Sequence, residues 1–147
     1  MKTLPKPLKN WLRKFSGAVR RRDFATGEIL FADGVISFGT VCFRTENLGE
    51  LSTRQWRKVW PRTKDFEFDY KSARAIVAAD LAAVLANWRS TGFDRDKIPF
   101  GRRGRATIVL RKSAAGWKAT HTHFSLKPAP KNDSLFCSVP RHDQTFH

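Results

Sequence analysis

The stretch that decides the fold is GRATIVLRKSAAGWKATHTHFSLKP, residues 104–128. Ala106 to Leu110 is dense in β-branched side chains, which pack well on a pleated surface and so predict a strand. Ser113-Ala114-Ala115-Gly116 supplies the reversal, since small residues ending in glycine tolerate a tight turn. A second strand is predicted from Trp117 to about Leu126, stopped by Pro128, which has no N–H to offer a ladder. Successive strand side chains point to opposite faces. On that alternation Trp117, Ala119, His121, His123 and Ser125 share one face. Lys118, Thr120, Thr122, Phe124 and Leu126 share the other.

Working outward, the chain has 147 residues, a length that predicts one domain. A domain of this size buries about 68–70% of its unfolded surface and folds without disulfides or a structural metal. With 41% hydrophobic residues, five Trp and twelve Phe, the core is aromatic-rich. No apolar run approaches the ~18 residues of a membrane span. Cys42 and Cys137 are too few and too far apart for a disulfide framework or a zinc knuckle. A reducing, cytoplasmic setting is expected from that cysteine usage.

The net charge of +15 is unevenly placed. Residues 1–22 hold eight Lys or Arg and no acid, and residues 102–131 hold another eight and no acid. Residues 23–101 carry eleven of each sign, so two basic flanks bracket a neutral centre. Such a field attracts anions, nucleic acid or acidic lipid surfaces whatever the fold. Gly101-Arg102-Arg103-Gly104-Arg105 is the tightest basic cluster, read here as a solvated loop able to grip phosphate.

The N-terminal segment repeats apolar residues at Trp11, Leu12, Phe15, Ala18 and Val19, an amphipathic helical stripe with Lys9, Arg13, Lys14, Arg20 and Arg21 opposite. Such a basic amphipathic helix reads as a membrane-surface segment, a transit peptide or the first helix of the fold, packing Trp11 and Phe15 over the open end of a sheet. Asp23 to Phe31 predicts a second short helix, and Asp33-Gly34 a turn into a strand Val35 to Thr40. Ser52 with Gln55 three residues on has a capping-box pattern, followed by a helix with Trp56, Val59 and Trp60 on one face and Pro61 at its end. Lys64 to Tyr70 alternates Phe66, Phe68 and Tyr70 with Asp65, Glu67 and Asp69, predicting a strand. Thr91 to Gly101 is read as a long loop. Leu135, Phe136 and Val139 in a C-terminal extension, residues 129–147, are candidates to dock on a neighbour.

Gly104-Arg105, Thr107, Gly116-Trp117-Lys118, His121-x-His123-x-Ser125 and Pro128 together resemble the closing hairpin of SnoaL-like proteins. These belong to the nuclear transport factor 2-like superfamily, with ketosteroid isomerase and the calcium/calmodulin-dependent kinase II association domain. Residues 31–40, 79–82 and 88–92 agree in order and spacing. The resemblance implies an α+β domain, 1–128. It would be a curved, mainly antiparallel sheet backed by three N-terminal helices, cone-shaped around a central pocket. It also turns the alanine-rich run Ser72 to Ala86, helical by propensity, into two antiparallel strands reversing near Asp80. It further implies a homodimer formed through sheet faces.

The candidate pocket wall is Phe38, Trp56, Trp60, Phe66 and Trp88, with Thr122 and Phe124 from the last strand and Arg105 and Thr107 from the one before. Pocket arginines of the kinase association domain fall here near Val84, Thr107 and Phe124, so the expected ligand is small and apolar, with Arg105 the one basic group able to substitute. His121, His123 and Asp80 are the candidate catalytic residues. Two histidines spaced by two on a strand stand about 7 Å apart, a separation that suits an acid and a base. A metal would need a third ligand, and no Asp, Glu or Cys has a fixed spacing to supply one. A structural pair within a dimer interface is the favoured reading; no metal and no cofactor is expected. Two functions are open: a small-molecule-binding protein, with isomerase, dehydratase or hydrolase chemistry conceivable, and a non-catalytic dimeric module whose basic flanks bind nucleic acid or an acidic partner.

Overall fold

A computed structural model describes residues 1–129; the predicted extension beyond them, with Leu135, Phe136 and Val139, lies outside the described residues. A two-residue strand β1 (Lys2–Thr3) precedes helix α1 (Lys6–Arg21), which starts behind Pro5. Pro7 sits in the first turn, where a missing N–H costs nothing. Leu8, Trp11, Leu12, Phe15, Ala18 and Val19 form the predicted stripe, and all are buried. Each large side chain buried there contributes roughly 1.5–3 kcal/mol. The helix is therefore a core element of the fold. Part of its charge ties it down: Arg20 donates to the Phe66 carbonyl (2.8 Å) and to Glu67 (2.9 Å).

Helix α2 (Phe24–Ile29) is capped by Asp23, whose carboxylate accepts from the Thr26 N–H at 3.1 Å. Strand β2 (Phe31–Phe38) follows without the expected turn; Asp33-Gly34 falls inside a register shift of that strand. The third helical stretch, 48–62 (α3), begins behind Asn47, which accepts from the Glu50 N–H, so the capping pattern at Ser52 is not the one used. Leu48–Glu50 is α-helical, Leu51–Trp56 widens to π-helical turns, Arg57–Val59 returns to α, and Trp60–Arg62 closes as a 3-10 turn. The wide turns aim Leu51, Gln55 and Trp56 toward the sheet, and all three are buried.

The sheet then forms in meander order: β3 (Thr63–Phe68), β4 (Arg74–Ala78), β5 (Leu81–Phe93), β6 (Pro99–Ser113) and β7 (Gly116–Leu126). Its spatial order is β1-β4-β5-β6-β7-β2, with β3 also paired to β5. Among the described residues only β2 and β7 run parallel. The alanine-rich run is indeed two strands, turning at Ala79-Asp80 with Ala79 in the left-handed region (φ 52°). The small side chains Ala75, Ala82 and Ala86 are buried on the inner face of this strand pair. β5 is long enough to pair β4 through its first half and β3 through its second, which bends the sheet. Among the described residues no helix is long and apolar enough to cross a membrane.

Two expectations about β6 and β7 need correction. Residues 99–103 are strand, not loop: β5 and β6 stay paired from Leu81↔Arg111 to Phe93↔Pro99, leaving only 94–98 as the connection. And β7 carries a bulge. Leu110 pairs with Ala119 and Val109 with His121, so Thr120 is an extra residue. The bulge reverses the facing midway: Ala119 points into the core, and after Thr120 it is Thr122 that is buried while His123 is exposed.

Gly104 fixes how closely β6 approaches β7. A Cβ built there would stand 1.7 Å from the Ser125 carbonyl oxygen and 2.8 Å from the Trp88 ring. Neither backbone can retreat without breaking ladder bonds. Gly104→Ala should destabilise the protein by roughly 1–3 kcal/mol or more, read as a fall in Tm of several degrees. An unchanged Tm would show that this contact does not set the strand spacing.

Candidate functional site

The concave face of the sheet does not close completely against the helices. Between them lies a cavity of about 60 Å³. Its wall comes from Phe15 and Val19 of α1, from Leu51, Gln55, Trp56 and Trp60 of α3, and from Phe31, Phe66, Trp88 and Phe124 of the sheet. The rings pack on one another: Trp56 stacks on Trp60 at 4.7 Å, and Phe66 lies 5.7 Å from Trp88. Three short hydroxyl side chains, Ser37, Ser90 and Thr122, face inward where a leucine or valine would close the gap. Thr122 donates to Ser37 at 2.8 Å. The Ser90 hydroxyl, on a residue 7% exposed, has no partner among the described residues. At 10–15 Å³ per enclosed water, the space holds roughly four to six waters or a small organic group.

One end of the cavity is polar and is built by a chain of hydrogen bonds. The Gln55 carbonyl oxygen accepts from the N–H groups of Val41 (3.2 Å) and Cys42 (2.6 Å), which pins the loop after β2 and orients the amide. Its NH₂ then donates to Thr40 Oγ1 at 3.1 Å. Gly39 makes room for this, since a Cβ there would stand 2.7 Å from the Gln55 oxygen. Arg102 Nη2 donates to the same Thr40 Oγ1 at 3.2 Å, and the guanidinium lies 5.5 Å from the Trp88 ring centre. Gly92 leaves the space through which the Arg102 stem passes, 2.7 Å from where a Cβ would be. Burial holds the Arg102 pKa below the ordinary arginine value, and among the described residues no carboxylate pairs with it.

Several predicted residues therefore come together and others do not. Phe38, Trp56, Trp60, Phe66, Trp88, Thr122 and Phe124 all line the cavity. Phe38 does so at the edge, its ring turned to meet His121 (5.0 Å) and His123 (5.3 Å) on the other side of the sheet. Arg105 and Thr107 lie on that other face, because buried Gly104, Ala106 and Ile108 fix the inward parity of β6. His121 Nδ1 sits 2.6 Å from the Ile36 carbonyl, a bond that ties β7 to β2. Asp80 is in an exposed turn, 3.7 Å from Arg111 and with its backbone carbonyl accepting from Lys112. None of these three catalytic candidates reaches the cavity. No group of three His, Cys, Asp or Glu side chains assembles among the described residues, so the histidine pair gains no third ligand. Arg102, read beforehand as part of a solvated loop, is the inward-facing residue that was missed. Continuing the alternation of β6 upstream from Ala106 through Gly104 would have placed it inside.

A second concavity lies at the far edge of the sheet, lined by Lys9, Lys71, Arg89, Arg103, Arg105 and Lys127 with Glu67, Asp69 and Tyr70. Lys9 of α1 and Arg103, Arg105 and Lys127 of the C-terminal flank meet there with Lys71 and Arg89 from the central region. Burial and a bond to Glu67 push the Tyr70 phenol up to about 12.

The model of the SnoaL-like domain matches residues 8–130. Among solved structures, a nuclear transport factor 2-like superfamily protein from Salmonella enterica serovar Typhimurium aligns with a TM-score of 0.72 at 16% identity, over 82% of this chain and 89% of that one. A ketosteroid isomerase-like protein from Erwinia carotovora atroseptica gives 0.71 at 18% identity, over 82% and 94%. A protein with a cystatin-like fold from Caulobacter vibrioides gives 0.64 at 14% identity, over 90% and 96%. At such identities likeness establishes the fold and no activity. No curated protein matches the sequence. The match runs from the first helix through the last strand of the curved sheet, and on that ground this chain belongs to the SnoaL-like domain family.

Proposed function

We propose that the protein binds a small molecule in the cavity beneath its helices. The observation that supports this most is the set of short hydroxyl side chains, Ser37, Ser90 and Thr122, that keep an otherwise aromatic core open. An unfilled void forfeits dispersion contacts, and a buried hydroxyl without a partner costs about 1–3 kcal/mol. Both costs fall when a ligand occupies the site. Isomerase, dehydratase or hydrolase chemistry would need a group to move a proton, and among the described residues lining the cavity none is His, Asp, Glu or Cys. Binding is thus the reading supported, with catalysis left without a candidate base.

Ser90→Leu replaces the orphan hydroxyl with three carbons, so that more of the space is filled by apolar atoms. Native mass spectrometry of the wild-type protein should show a reproducible extra mass absent from Ser90→Leu, and 1-butanol should shift the amide resonances of cavity residues only in the wild type. A bare mass together with no 1-butanol shift would end this reading.

We further infer a homodimer through the outer sheet face, where Leu85, Thr107, Val109, His121 and His123 lie side by side and no described element covers them. Wild-type protein should sediment as a dimer and Val109→Arg as a folded monomer; a monomeric wild type would overturn it.

A second reading is favoured by the groove at the sheet edge. Six basic side chains converge there against two acids, an arrangement suited to a polyanion such as single-stranded RNA. Binding of a 20-nucleotide RNA should weaken with a log–log salt slope of about −4 if all six phosphate contacts form. Affinity that ignores salt, or no affinity, would remove it.

A further inference from the structure

The polar end of the cavity has a chemical bias that its apolar wall conceals. Ser90 and Arg102 are directly opposed partners of β5 and β6 and project to the same inner face. Directly opposed side chains have Cβ atoms about 4.5–5.5 Å apart. Thr40 Oγ1 already accepts from both Gln55 and Arg102, so its own hydroxyl hydrogen is left to donate. The Ser90 hydroxyl, on a residue more than nine-tenths buried, has no partner among the described residues. Three groups with donor capacity to spare thus line this end of the cavity: Arg102 and Thr40, bonded to each other, and Ser90, across from Arg102 in the strand register; Arg102 is a cation with no carboxylate partner among the described residues. Arg102 also lines the surface groove beside Val41 and Phe100, which places this point at the mouth of the cavity.

We infer that the ligand is a short-chain carboxylate, its anionic head held at the mouth by Arg102, Ser90 and Thr40 and its apolar body inside the aromatic wall. This rests on the cavity being a binding site. Its content is the charge and polarity of the occupant. A desolvated guanidinium is the natural partner for an oxyanion, since a charge-assisted, forked pair is among the strongest hydrogen-bonded contacts available. A void of about 60 Å³ limits the enclosed part to a few heavy atoms, given that an apolar cavity of about 150 Å³ is needed for benzene. The proposal adds a charged end to the small, more apolar ligand expected from the residues near Val84, Thr107 and Phe124, because Arg102 enters from a different position.

The test uses three probes of similar shape: butyrate, butyramide and 1-butanol, titrated into the full-length protein and followed by amide chemical shifts and calorimetry. Butyrate should bind roughly ten- to a hundredfold more tightly than butyramide. Arg102→Gln should abolish that preference while still binding 1-butanol, which shows that the cavity has survived. Ser90→Ala should reduce the preference without lowering Tm. Equal binding of butyrate and butyramide, or a preference that persists in Arg102→Gln, would overturn the carboxylate assignment and leave the cavity reading standing. Failure of all three probes to bind would overturn the carboxylate assignment, and together with a bare wild-type mass it would end the cavity reading as well.

Discussion

Phe15 is the contact on which the rest of the molecule depends. Its ring stands between the helical layer and the sheet, meeting Trp11, Phe31, Trp56 and Trp60 on one side and Phe66, Phe68 and Phe124 on the other. Aromatic rings at these separations prefer tilted and edge-on arrangements, and a cage of such rings is stiff but cannot tile space completely. The cavity lies where the tiling ends. Its wall is therefore the same structure that stabilises the fold, and the site is rigid because the core is.

Within that frame two backbone irregularities decide which chemistry faces inward. The π-helical widening of Leu51–Trp56 turns Gln55 toward the loop at 39–42, where its amide fixes the position of Thr40. The bulge at Thr120 turns Thr122 and Phe124 inward and leaves the histidines outside. The same residue count without that bulge would exchange a hydroxyl and a phenyl ring for two imidazoles. A cavity carrying an imidazole pair would replace one lined, among the described residues, by no His, Asp, Glu or Cys.

The positive charge of the chain is likewise sorted by the fold. Arg20 anchors a helix to a strand, Arg102 enters the cavity, and Arg89, Arg103 and Arg105 gather with Lys9 and Lys127 at the sheet edge. Arg102 and Arg103 are neighbours in sequence, yet one is desolvated and the other exposed, because a strand sends adjacent side chains to opposite faces.

Much of the architecture was legible beforehand. The stripe of α1 and the alternation of Phe66 and Phe68 are local periodicities, and burial is the direct consequence of such patterns. The strand pair at 74–93 was legible only through the resemblance, since its alanines by themselves favour a helix. The aromatic wall followed from knowing which faces were apolar. The polar end did not. Where β6 begins depends on how far β5 offers hydrogen-bond partners, and that is a property of the pair rather than of either segment. Residues 101–105, rich in glycine and arginine, have no strand signature of their own. The bulge at Thr120 is equally silent in the sequence, because an extra residue is defined only against the strand it faces. Local pattern determined what would be buried. Pairing between strands decided which polar groups were buried with it, and so where the site's chemistry lies.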